Sequence, residues 1–119
     1  MHDRACKDLD RLARKRLVLA DAVLTEACFL LPRAIQRARL GRIVRELAMA
    51  PLTADDQLQF RLDVFAWLAR YAEHRPDWAD GSLAVASERE KGARVWTYDS
   101  EFRTTWRRPA GGRIPLAIR

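Results

Sequence analysis

A chain of 119 residues with 49% hydrophobic and 32% charged content can bury a real core, and its balance excludes disordered, collagen-like and fibrous classes. The net charge of +6 points towards a polyanionic or acidic partner. Two cysteines, Cys6 and Cys28, exclude a disulfide framework and lack metal-ligand spacing.

Ala5, Cys6, Leu9, Leu12 and Ala13 recur at helical spacing and predict a first helix over 3–14. The basic RLARKR and apolar LVLADAVLTEACFLL that follow imitate a signal peptide, but Asp21 and Glu26 interrupt the apolar run. No segment reaches the ~18 uncharged apolar residues of a membrane span. The expectation is a soluble, cytoplasmic protein with no membrane contact. LVLA at 17–20 fits a short buried strand, Asp21 is placed to cap a helix running to about Leu31, and Pro32 to open the next one. In that helix Leu40, Ile43, Val44, Leu47 and Ala48 predict an apolar face, with Arg37, Arg42 and Arg45 opposite.

A short strand within 47–52 and a cap at Thr53 lead into a long helix. Its predicted core stripe is Leu58, Leu62, Phe65, Ala69 and Ala72, with Val64, Leu68 and Tyr71 beside it. His74-Arg75-Pro76 breaks the pattern, and Asp77 starts a helix ending near Gly92. RVWTY at 94–98 fits a strand. An arginine-rich loop, a turn at Gly111-Gly112 and a last strand over 114–118 complete the chain. Short strands alternating with helices predict one domain over 1–119, a three-layer α/β/α sandwich with a mostly parallel sheet.

Four acids stand in apolar surroundings: Glu26 in VLTEACFLL, Asp77 and Asp80 in RPDWADGSLAVA, and Asp99 in RVWTYDSEF. A buried carboxylate costs several kcal/mol unless compensated. Acids in three separate apolar segments suggest one shared site, placed where strands hand over to helices. All-oxygen donor sets suit Mg²⁺ or Mn²⁺, which activate water and neutralise phosphate charge. A plainer reading stands beside this one. Asp77 is a good N-cap, Asp80 suits the first turn of a helix, and Asp99-Ser100 suits a turn. Arg103, Arg107 and Arg108 around Trp106 suit RNA phosphates and base stacking, or form an ordinary solvated loop. His2 and His74 are too far apart in sequence to share a motif.

VLTEACFLL, PDWADGSLAVASERE and ARVWTYDSEF, in this order, resemble the PIN domain family, most closely its VapC-like toxin type, over essentially the whole chain. The resemblance implies a metal-dependent endoribonuclease of a toxin–antitoxin system, cleaving RNA phosphodiesters at an Mg²⁺ or Mn²⁺ site. Glu26, Asp80 and Asp99 match the family's catalytic and metal-binding acids, with Asp77 a further ligand and Thr97 and Glu101 in supporting places. A cognate antitoxin and a homodimer are implied as well. The family opens with a strand ending in an aspartate, which has no counterpart here, so by resemblance the chain is N-terminally truncated. Gly81 stands where the family favours alanine, and glycine weakens a helix by up to ~1 kcal/mol. The competing expectation is a catalytically inactive PIN scaffold that binds RNA or a protein partner.

Overall fold

The computed structural model describes residues 2–12 and 15–118; Ala13 and the His2 side chain, both named above, lie outside the described residues. The chain forms two compact units, Met1–Leu52 and Thr53–Arg119.

The first unit contains α1 (His2–Leu12), β1 (Val18–Leu19), α2 (Asp21–Leu30), α3 (Ala34–Glu46) and β2 (Ala50–Pro51). The two strands pair in parallel, Val18 opposite Ala50 and Leu19 opposite Pro51. The Ala50 N–H donates to the Leu17 carbonyl at 2.9 Å and the Leu52 N–H to the Leu19 carbonyl at 3.3 Å. Ala20 is the N-cap of α2, so Asp21 is its first residue and not its cap, where a negative charge still favours the helix dipole.

Arg37 does not sit idle on an outer face. Its Nη2 donates to the Cys28 carbonyl at 2.8 Å and its Nε to the Leu31 carbonyl at 3.0 Å. These are carbonyls at the end of α2, which a helix cannot satisfy internally. Arg37 therefore fixes the corner between α2 and α3. Neither helix contains a buried residue.

The second unit runs through a 3₁₀ turn (Thr53–Asp56), α4 (Leu58–Arg70), a second 3₁₀ turn (Ala72–His74), α5 (Trp78–Arg89) and a short α6 (Glu101–Thr104). Phe60, Val64 and Trp67 of α4 and Ala84 and Val85 of α5 are its core, joined by Trp106. The Trp67 Nε1–H donates to the Arg107 carbonyl at 2.7 Å and ties α4 to the C-terminal segment. Arg89 ion-pairs with Asp63 and lies over the Phe60 ring at 5.5 Å.

The expected core stripe of α4 is on the wrong face. Leu58, Leu62 and Phe65 are 70%, 49% and 61% exposed. The helix is apolar on two faces, and the one carrying Phe60 and Trp67 is buried because it removes more apolar area from water. Gly81 also departs from its sequence reading. A Cβ there would stand 2.8 Å from Val64 Cγ1 and 3.3 Å from Trp67 Cε3, so glycine is what lets α5 approach α4.

The three-layer sandwich is not formed. Helix takes 61% of the described residues and strand pairing 7%. Beyond β1 and β2 there is one parallel bridge, Val95 with Leu116, and one antiparallel bridge, Arg107 with Arg113. The expected strands at 94–98 and 114–118 each contribute a single pairing residue. Pro51 and Pro115, which lack an N–H, sit at the two parallel pairings, and a proline cannot extend a ladder as a central strand does.

Candidate acidic site

The start of α5 is built by its own acids. Arg75 turns the chain in the left-handed region at φ 52°, Pro76 fixes the next step, and Asp77 becomes the N-cap with extended backbone. Asp77 Oδ1 accepts from the Asp80 N–H at 2.8 Å, and Asp80 Oδ2 accepts from the Asp77 N–H at 3.0 Å. The two carboxylates thus satisfy reciprocally two amides that a helix start leaves open. Trp78 anchors this turn against α4, its ring edge-on to Phe65 with centroids 4.8 Å apart.

Asp80 is only partly exposed, unlike Asp77 and Asp99. Burial raises its pKa from the ordinary 3.8 to about 6. The hydrogen bond from the Asp77 backbone works against that rise, and the charges of Asp77 and Asp99 add to it. Three carboxylates of one unit therefore act on each other, and the half-buried one carries the electrostatic cost.

Asp99 is placed by a turn. Its N–H donates to Thr97 Oγ1 at 3.0 Å, and its Oδ1 accepts from the Glu101 N–H at 2.9 Å, starting α6. Glu101 Oε1 in turn accepts from Thr105 Oγ1 at 3.2 Å. Glu26 stands apart from this set in the chain, exposed on α2 of the first unit, whereas the three aspartates belong to the second. Among the described residues, no three His, Cys, Asp or Glu side chains are gathered so that they could hold a metal ion.

The arginine-rich segment divides in two. Arg103 is exposed. Arg107 is partly buried and turns Nη1 back onto the Trp106 carbonyl at 3.0 Å. Arg108 packs its guanidinium against Gly112, where a Cβ would meet Nη2 at 2.7 Å. Trp106 is a core residue, 2% exposed. Its ring meets Trp67 and Tyr71 at 5.3 Å and His74 at 5.9 Å. No face of that indole is open to a base, so base stacking by Trp106 is replaced by a structural role. Basic neighbours gave no sign of this. The bulk of the indole is the better guide, because such a ring buries more apolar area than any other side chain nearby.

Gly81 is the residue that sequence reasoning undervalued, and a signal existed. An isolated glycine inside a helix costs stability against alanine unless close packing requires it.

No protein-family model, curated protein or solved structure matches this chain.

Proposed function

We propose that the second unit is an acidic phosphodiester-cleaving site acting on RNA with Mg²⁺ or Mn²⁺, built on Asp77, Asp80 and Asp99. The observation that carries this reading is the half-buried Asp80 carboxyl, bonded to Asp77 and within the field of Asp99. The donor set fits such an ion in kind. It is all oxygen, it is short of positive charge, and Mg²⁺ is commonly held by one or two carboxylates with water and substrate phosphate completing the shell. A bound divalent ion supplies an activated water and charge neutralisation at the phosphate.

The chain's own residues do the rest. Asp80 and Asp77 offer the direct carboxylates, each with one oxygen already fixed by a backbone amide. Asp99 is held in place by Thr97 and Glu101. Arg103, and Arg107 and Arg108 where their guanidinium groups reach solvent, attract and align the phosphate backbone. Glu26 adds to the negative charge of the chain and carries no step in this proposal. The reading rests on the three aspartates and not on a PIN fold. A cognate antitoxin belongs to the same proposal only as the source of a blocking protein.

Cleavage of a structured RNA in Mn²⁺ tests it, with EDTA and Asp80→Asn as controls. The expected outcome is cleavage by the unaltered chain that is lost in both controls, with the melting temperature of the unaltered chain raised by Mn²⁺. The second reading, an RNA- or protein-binding scaffold without catalysis, draws on the capping and turn roles that Asp77, Asp80 and Asp99 already fill. RNA binding that persists in EDTA and in Asp80→Asn, with no cleavage in Mn²⁺, selects it.

A further inference from the structure

Of the four tryptophans of the chain, Trp67 and Trp106 are core and Trp78 packs edge-on against Phe65. Trp96 is placed differently. Its indole is partly exposed, as is the Tyr98 ring. Among the described residues its one ring contact is with Tyr98, at 6.5 Å between centroids. Val95 beside it is buried and paired as in a strand. Its N–H donates to the Pro115 carbonyl at 2.8 Å, and its carbonyl accepts from the Ala117 N–H at 2.9 Å. Side chains alternate about such a residue, so Arg94 and Trp96 fall on the side away from the core.

The pair is built to present its rings. Trp96 Nε1–H donates to Tyr98 Oη at 3.2 Å, so the indole's one polar atom is satisfied inside the pair and the two rings are held in register. Their planes stand at 75°. Neither ring lies flat on the other, and the contact takes at most one face of each. A partly exposed indole with no polar atom left to satisfy suits a flat π-ligand. Charge narrows the choice. Arg94 is exposed at one end of the pair on a chain of net charge +6, which favours a ring joined to phosphate over a neutral sugar or peptide. At the other end Asp99 follows Tyr98 directly and is held by Thr97. The three residues from Trp96 to Asp99 span at most about 11 Å.

We propose that Trp96 and Tyr98 form a base-stacking subsite that holds an unpaired nucleobase of the RNA beside Asp99. This rests on the RNA reading given above, and it supplies the stacking surface that Trp106, closed in the core, does not. A base must leave its duplex to lie on an indole, so the strand held here is unpaired at that point. Stacking of this kind accepts any base, because every base has a π-face.

Fluorescence anisotropy of a labelled single-stranded oligoribonucleotide in EDTA, where cleavage does not compete, tests the subsite against the same strand carrying abasic sites. The unaltered chain is expected to bind the base-bearing strand about tenfold more tightly. Trp96→Leu is expected to lose most of that preference, with its affinity for the abasic strand and its melting temperature unchanged. Should Trp96→Leu lower the melting temperature, Trp96→Phe decides. Its smaller ring is expected to weaken the preference, and an undiminished preference overturns the proposal. An unaltered chain that binds both strands alike, or neither, overturns it as well. Cleavage in Mn²⁺ without a base preference removes the subsite and leaves the nuclease reading standing, whereas a base preference without cleavage supports the subsite and removes the nuclease reading.

Discussion

The two units of this chain solve opposite problems with similar material. α2 reads DAVLTEACFL, more apolar than α4, yet it buries no residue, while α4 buries Phe60, Val64 and Trp67. In the first unit the buried apolar residues, Leu12, Ala20 and Leu52, lie outside α2 and α3, and polar geometry adds a parallel strand pair of two residues each and a corner held by Arg37 on two helix-end carbonyls. The second is fixed by packing, with two helices brought together at Gly81 and an aromatic cluster around Trp106. The contrast shows that apolar content becomes stability only where a second face meets it at contact distance.

Substitutions sharpen that contrast. Trp67→Ala empties the centre of the second unit and removes the hydrogen bond to Arg107; a loss of about 3–5 kcal/mol is expected, read as a collapse of the denaturant midpoint. Gly81→Ala improves helix propensity but forces a methyl group onto Val64. A net loss of about 1–3 kcal/mol is expected from overpacking, and a gain in melting temperature instead would show that α5 can retreat from α4 without cost. Arg37→Met keeps the stem and removes the donors of the first-unit corner. Its expected cost is about 1 kcal/mol, visible as faster hydrogen exchange at the end of α2. Phe29→Ser changes a residue that is 82% exposed, and its effect on stability is expected to stay within about 0.5 kcal/mol.

The acidic site gives a prediction in pH. Folded Asp80 keeps its proton up to about 6, and unfolded Asp80 releases it near 3.8. Between those values the folded state binds the extra proton, so this group's contribution to stability falls as pH rises through the window. Asp80→Asn keeps an acceptor for the Asp77 N–H and removes the titration. Its melting temperature is expected to change less across that window than that of the unaltered chain, and equal slopes would show that Asp80 titrates like an exposed acid.

Much of the local structure was legible. The break at His74–Pro76, the cap at Asp77, the turn at Asp99 and the turn at Gly111 all follow from the conformational preferences of those residue types. The sheet was not legible. LVLA and RVWTY are good strand sequences, but a strand exists only through its neighbours, and each run found a partner for one or two residues. Of the four expected site acids, the three aspartates are in one unit and Glu26 is in the other, because sequence order says which acids share a chain and not which share a unit.

What the sequence determined by itself was therefore periodicity, punctuation and charge: where helices run, where they stop, and that α4 carries an apolar stripe. Only the tertiary structure decided which face of α4 is core, that Trp106 packs inward while Arg103 faces solvent, and that Gly81 is a contact point and not a weakness. The physical reason is range. Caps, turns and helix spacing are settled within a few residues, whereas burial depends on which distant surfaces come within van der Waals contact and exclude water together.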